Sequence, residues 1–425
     1  MDKLTIHQSK LSGNIVVSGS KNAALPIMAA TILTDDKCVI HNVPNLMDVR
    51  TMIKILDVLG KKISFANNTL TVSTKKVSSR YNCYTAPYRL VSTMRASFTC
   101  LGPLIAKRKR AKISLPGGCV IGVRPVDLHI KGLRDLGVKI KVENGYCNAY
   151  ARNLTGNHIY LGGNFGSSVL ATANVLMAAV MAKGETIIEH AACEPEIENL
   201  TVFLKHLGAL IQGEGTHVLR VKGVKSLGGG GDFTVIPDRI EAGTFIGVSL
   251  AIGSKLSIKK ANPFHLTSVI ETARNIGSDI TIRKDNTIIV EPRKKLKPVS
   301  ITTLPYPGFP TDLQAQFMVC LCLAKGVSLI TEKIYPDRFM HVAELHRMGA
   351  SIHRSGPYAI IEGKQRLYGA ELMASDLRAS AALIIAGLAA AGKTTINRVY
   401  HIDRGYERIE EKLKALGAKI QRSKS

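Results

Sequence analysis

The chain has 425 residues, 45% of them apolar, and a formal net charge of +25. That length suggests two to three domains, and that apolar content allows a sizeable core. Tryptophan is absent and aromatics make up only 5%, so the core must be aliphatic, and a protein built on aromatic clusters is excluded.

The first residues, Met1-Asp-Lys-Leu-Thr-Ile-His7, lack the apolar core of a signal peptide. The longest apolar run, near residues 379–391, is too short and too alanine-rich for a membrane span. A soluble, cytoplasmic protein without membrane insertion is expected. Eight cysteines are scattered without a CxxC pair, which speaks against a zinc site or redox dithiol and for reduced, buried thiols.

Taken in chain order, the first element is a strand that turns into an alanine-rich helix at Ser18-Gly-Ser-Lys-Asn22. The next landmark is a helix-like stretch ending in an apolar residue and Gly60, followed by a strand-like run. The same landmark returns at Gly137, Gly208, Gly277, Gly349 and Gly417. A glycine suits the left-handed position that closes a helix. Six copies at intervals of 68 to 77 residues are too widely spaced for a common solenoid and fit compact α/β units. Alanine-rich helices turning into β-branched strands at Gly184, Gly326 and Gly392 mark a second recurring position.

The run Lys107-Arg-Lys-Arg110 sits between an apolar stretch and a strand-like one, where a solvated turn is expected. The loop Leu115-Pro-Gly-Gly-Cys-Val-Ile-Gly-Val-Arg-Pro-Val-Asp-Leu-His129 carries a thiol, Cys119, on a glycine-rich backbone near Arg124 and Asp127. Positive neighbours favour the thiolate, so Cys119 is a candidate reactive group. A domain boundary is expected at Gly228-Gly-Gly-Gly231. The stretch just beyond it resembles the start of the chain, since both lead from a strand into a helix. The chain therefore reads as two halves of three repeats with a cleft between them.

The turns entering the alanine-rich helices hold Lys21, Arg95, Ser168, Arg239, Asp312 and Arg378. Serine and aspartate there can be ordinary N-caps. Cations oppose the helix dipole, which suggests a strongly anionic ligand. Gly387-Leu-Ala-Ala-Ala-Gly-Lys-Thr394 matches a phosphate-loop pattern, but the expected order, helix before and strand after, is the reverse of what that loop requires. The last landmark, His401-Ile-Asp-Arg-Gly-Tyr406, places Arg404 in a turn.

The motifs Ser18-Gly-Ser-Lys-Asn-Ala-Ala-Leu-Pro26, Leu115-Pro-Gly-Gly-Cys119, Arg124-Pro-Val-Asp-Leu-His129, Phe309-Pro-Thr-Asp-Leu-Gln-Ala-Gln316, Arg338-Phe-Met-His341 and His401-Ile-Asp-Arg-Gly-Tyr406 together resemble the UDP-N-acetylglucosamine 1-carboxyvinyltransferase family. These enolpyruvyl transferases begin bacterial peptidoglycan precursor synthesis and belong to the EPSP synthase-like superfamily. The resemblance runs from the first strand to the last helix. It implies an α/β fold of two inverse α/β barrels, each of three βαβαββ repeats, with the active site in the interdomain cleft. Residues 22–233 would form one domain; residues 1–21 and 234–425 the other.

The substrates implied are UDP-N-acetylglucosamine and phosphoenolpyruvate, with no cofactor and no metal. By resemblance, Cys119 protonates C3 of phosphoenolpyruvate, forms a thioether-type adduct and is the target of epoxides such as fosfomycin. Asp312 takes the proton from the sugar 3-hydroxyl. Lys21, Arg124 and Arg404 hold phosphate and carboxylate, with Asn22 beside them. Asn22, Arg95, Arg124, Pro125, Val126, Asp127, Leu128, Ser168, Val169, Asp312 and Ile334 line the nucleotide-sugar site. The chain departs from the family pattern at Gly166-Ser-Ser-Val169, which no lysine precedes, at Cys193, where arginine is usual, and at Ser20. A nucleic-acid-binding repeat protein would cluster basic residues on one face with interleaved aromatics. Here aromatics are few and the charge is spread along the chain, so no nucleic-acid partner is expected.

Overall fold

A computed structural model of the chain describes residues 2–75, 83–116, 126–364 and 366–424. Among them are six four-stranded sheets and a two-stranded one. One repeat shows the construction. Strand His158–Tyr160, helix Val169–Ala179, strand Glu185–Glu189, helix Pro195–His206, and strands Leu210–Gln212 and Val218–Lys222 follow in order. The first two strands pair in parallel and the last two pair antiparallel.

All six glycines that close the repeats have positive φ, from 85° at Gly60 to 125° at Gly277. A side chain is strained in that conformation, which is why the repeat is legible as glycine. The apparent phosphate loop lies between helix Leu377–Ala389 and strand Lys393–Asn397. No helix begins there to face a phosphate.

Three of the sheets are not contiguous in sequence. Strand Asp2–His7 completes the sheet of the last repeat, pairing antiparallel with Lys393–Asn397 and Ile420–Lys424. Strands Gly13–Val16 and Gly231–Thr234 are exchanged. The first leads into helix Lys21–Ala30 but pairs with Leu256–Lys259, the strand that follows helix Arg239–Ile252. The second leads into Arg239–Ile252 but pairs with Cys38–His41, the strand that follows Lys21–Ala30.

The described residues fall into two compact units, 2–18 with 237–424, and 19–116 with 126–236. Each has its own aliphatic core. In the first unit, helices Arg239–Ile252, Gln314–Leu323 and Leu377–Ala389 pack on one another and are buried almost all round. Helices apolar on every face belong at a centre, while amphipathic ones such as Thr267–Ile276 lie outside. Small residues let these central helices approach. A Cβ at Gly243 would come within 2.3 Å of the Leu313 side chain. In the second unit, helices Leu101–Arg108 and Val169–Ala179 pack as closely, and a Cβ at Gly102 would fall 2.1 Å from the Asn174 carbonyl oxygen. Seven of the cysteines are free thiols, six of them buried.

Candidate active site

In the first unit Asp312 lies in the 3-10 turn Thr311–Leu313, ahead of helix Gln314–Leu323. Its side chain does not cap that turn. Instead Oδ1 is 2.8 Å from Nη1 of Arg338 and Oδ2 is 2.8 Å from Nη2 of Arg378. The carboxylate is 26% exposed, while the two arginine side chains are only 7% and 4% exposed. Burial alone would raise the Asp312 pKa; Arg378 and Arg338 outweigh it and hold the group well below the usual carboxylate range.

Each guanidinium is fixed by a second bond. Arg338 donates to Oγ1 of Thr311 at 3.0 Å, and that hydroxyl donates to Oε2 of Glu332 at 2.9 Å. Oε1 of Glu332, a buried carboxylate, accepts from the backbone N–H groups of Ile334 and Tyr335. On the other side Arg378 donates to Oη of Tyr406 at 3.1 Å; that hydroxyl also meets Oγ1 of Thr244 and Nε2 of Gln316. One hydrogen-bonded chain therefore joins Ile334, Glu332, Thr311, Arg338, Asp312, Arg378 and Tyr406. Two expected site residues, Asp312 and Ile334, stand on it. Arg404 is half-buried in the segment Val399–Arg404, two residues before Tyr406.

In the second unit Lys21 is the first residue of its helix, behind the N-cap Ser20. Its Nζ is 3.0 Å from Oδ2 of Asp48, and both side chains are buried. Asn22 is half-buried beside it. Arg95 opens the 3-10 segment Arg95–Cys100, Asp127 and Leu128 open helix Asp127–Asp135, and Ser168 caps helix Val169–Ala179 by accepting from the Ala171 N–H. A buried amide ties these three segments together. Asn174 Nδ2 donates to the Phe98 carbonyl at 2.9 Å and to Nδ1 of His129 at 2.8 Å; its Oδ1 accepts from Gly102 N–H at 2.7 Å. His129 is held neutral, its pKa pushed down to about 3 by burial and by Arg95. Val169 packs against the core, and Val126 is half-buried. Cys119, Arg124 and Pro125 lie outside the described residues.

Two inferences gain detail. Cations at helix starts pointed to an anionic ligand; of these, Lys21 and Arg378 also face carboxylates of this chain, Asp48 and Asp312. The expected solvated turn at 107–110 divides its work. Lys107 ends 2.7 Å from Asp35, and Arg108 donates to the carbonyls of Leu59 and Cys83. Asp376 is a plain N-cap, accepting from Arg378 and Ala379 N–H. The sequence singled out Arg338 only within a motif and passed over Glu332. Long-range pairing leaves no local signal.

The model of the EPSP synthase (3-phosphoshikimate 1-carboxyvinyltransferase) family matches residues 6–413. The chain belongs to that family. It is 52% identical over 412 residues to a UDP-N-acetylglucosamine 1-carboxyvinyltransferase of Methylacidiphilum infernorum, covering 97% of this chain and 96% of that one. It is 49% identical to the corresponding protein of Lawsonia intracellularis, over the whole of both chains. Among solved structures it resembles the enolpyruvyl transferase NikO of Streptomyces tendae, with a TM-score of 0.88 at 24% identity over 100% of this chain and 99% of that one. An EPSP synthase of Acinetobacter baumannii gives 0.76 at 20% identity, over the whole of both chains. These likenesses establish a mixed α/β enolpyruvyl-transferase fold. No helix among the described residues is long and apolar enough to cross a membrane.

Proposed function

We propose that this protein transfers the enolpyruvyl group of phosphoenolpyruvate to the 3-hydroxyl of UDP-N-acetylglucosamine and releases phosphate, as the first committed step of peptidoglycan precursor synthesis in the cytoplasm. The observation that carries this reading is identity near 50%, over almost the whole chain, to enzymes named for that transfer. The proposal includes the finer architecture, two inverse barrels with domains 22–233 and 1–21 plus 234–425, and an active site in their cleft.

The sugar 3-hydroxyl oxygen bonds to C2 of phosphoenolpyruvate while C3 takes a proton from the Cys119 thiol. C3 then loses a proton, phosphate departs, and the enol ether remains. Asp312 accepts the hydroxyl proton. Its two arginines keep it ionised at neutral pH, the state an acceptor needs, and they also weaken its hold on a proton. An anion that draws charge from either guanidinium strengthens that hold. Lys21, Arg124 and Arg404 hold the phosphate and carboxylate, a task suited to the planar fork of arginine. Asn22, Arg95, Pro125, Val126, Asp127, Leu128, Ser168, Val169 and Ile334 line the nucleotide-sugar site.

The test is phosphate release from phosphoenolpyruvate with each acceptor in turn. Release that depends on UDP-N-acetylglucosamine is expected; release that depends instead on shikimate 3-phosphate would overturn the reading. Asp312→Asn is expected to lower turnover by at least about a hundredfold with little change in sugar-nucleotide affinity. Cys119→Asp keeps a proton donor and is expected to retain some turnover while losing alkylation by fosfomycin.

A further inference from the structure

The six sheets share one topology, so their solvent faces can be compared directly. The sheet of strands Thr85–Ala86, Arg110–Ser114, Lys139–Glu143 and Tyr146–Tyr150 stands apart. Along Arg110–Ser114 and Tyr146–Tyr150, Ala111, Ile113, Cys147 and Ala149 face the core. Arg110, Lys112, Tyr146, Asn148 and Tyr150 therefore share the outer face, while Ser114 at the strand's end is buried. The pairing register arranges them in cross-strand rows. Tyr150 lies between Arg110 and Lys139, and Asn148 between Lys112 and Lys141. In the third row Tyr146 lies between Ser114 and Glu143, and Glu143 pairs with Lys141 at 2.6 Å.

The rows are about 6.8 Å apart, two residues of an antiparallel strand. Tyr150 is 53% exposed. The Arg110 guanidinium lies over the Tyr84 ring at 4.5 Å, and Lys112 Nζ over the Tyr146 ring at 4.9 Å. A concavity of about 570 Å³ runs across this face.

The matching faces elsewhere differ. On strand Val218–Lys222, Lys222 stands opposite Glu185 and Val218 opposite Glu189. On Tyr358–Gly363 the outward residues are Tyr358, Ile360 and Glu362. On Ile288–Pro292, Glu291 faces Asp279. Among the described residues, only Tyr146–Tyr150 carries two outward aromatics with cations on both flanking strands.

We infer that this sheet face binds single-stranded RNA, with bases stacked on Tyr150 and on the Arg110–Tyr84 pair and phosphates held by Lys112, Lys139 and Lys141. Stacking on aromatic rings and guanidinium planes, beside cations that follow the backbone, is how sheet surfaces hold single strands. Asn148, a donor and an acceptor between two lysines, is placed to meet a 2′-hydroxyl. The basic-and-aromatic clustering that the sequence did not reveal is produced by strand pairing. This activity is independent of the enolpyruvyl transfer proposed above.

Fluorescence anisotropy of the full chain with a labelled mixed-sequence RNA of about 12 nucleotides, at about 50 and 200 mM salt, tests it. Lys112→Glu with Lys139→Glu is expected to weaken binding at least about tenfold and flatten its salt dependence. Tyr150→Ala is expected to weaken it roughly fivefold or more, and Tyr150→Phe to restore it. Arg220→Glu with Lys222→Glu, the same charge change on another sheet, is expected to leave binding within about twofold. Enzymatic turnover and thermal unfolding of Tyr150→Ala should match the parent. Equal loss in the Arg220/Lys222 variant would reduce the effect to net charge. Equal affinity for DNA of the same sequence would remove the assignment to RNA. Phosphatidylglycerol vesicles bound in preference to RNA, with the same dependence on these lysines, would make the face a lipid-binding one. Each of these results overturns the proposal.

Discussion

Arg378 and Lys61 are both buried cations, 3% and about 1% exposed, and the two units treat them in opposite ways. Arg378 meets a carboxylate, Asp312, at 2.8 Å. Burial alone would lower its pKa, but Asp312 more than offsets this, and the guanidinium is held more firmly charged than in water. Lys61 donates to the Thr34 carbonyl at 2.6 Å and to Oγ1 of Thr74 at 2.9 Å. Asp35, close enough to act on it, is already bonded to Lys107. Burial therefore wins, and the ammonium is pulled down to about 8. A cation can be kept in a core by a counter-charge or by neutral acceptors, and only the first keeps it charged under alkaline conditions.

Removing the counter-charge should have the largest effect. Asp312→Ala leaves two buried guanidiniums without their shared anion and should cost about 3–5 kcal/mol in urea unfolding at neutral pH. Asp312→Asn keeps the shape and should cost less. Because the folded-state pKa of Asp312 is depressed, its contribution is full above the ordinary carboxylate value of 3.8 and is lost as pH falls below it. If Asp312→Ala costs under about 1 kcal/mol, the counter-charge is not what holds these arginines, and the contrast with Lys61 fails.

The second test concerns Lys61. Below pH 8 the folded chain must hold a buried ammonium. Between about 8 and the ordinary lysine value of 10.5 the unfolded chain binds more protons than the folded one. Stability therefore rises with pH across that window, by roughly 3 kcal/mol if the other groups are unchanged. Asp35 and Cys38 act to raise the Lys61 pKa, Arg108 and Lys107 to lower it. Cys38, pushed up from 9.0 to about 11 by burial, titrates in part of the same window with the opposite sign, so the rise must be read as the part that depends on Lys61. Lys61→Met should abolish the rise, read as the difference between the two pH profiles. Parallel profiles would show that Lys61 stays charged.

How far these features could be read from sequence follows from their range. The helix-closing glycines were legible because a left-handed residue is a local demand. The aliphatic central helices were legible because being apolar all round is a local pattern. The exchange of strands Gly13–Val16 and Gly231–Thr234 left only a faint mark, a likeness between two strand-to-helix stretches. The clamp on Asp312 left none, since Arg378 is 66 positions away. Arg378 looked like a cation awaiting a ligand because its partner is visible only after folding. Lys61 offered still less, a lysine in an ordinary strand, Lys61–Ala66, whose burial depends on the whole unit.

The smallest expected effect separates the two acceptors of Lys61. The Thr74 hydroxyl accepts from Nζ and also donates to Oδ1 of Asp35 at 3.2 Å. It therefore relays part of the carboxylate's influence to the ammonium. Thr74→Val keeps the branched shape and removes that relay, leaving the Thr34 carbonyl as the remaining acceptor. Below pH 8 the loss should be about 1 kcal/mol. Above that window it should shrink, because a neutral amine gains less from a hydroxyl acceptor than an ammonium does. The midpoint of the stability rise should also move to lower pH, since the charged form has lost support. A loss equal at all pH values would mean that Thr74 only packs, and that the Lys61 charge is set by burial alone.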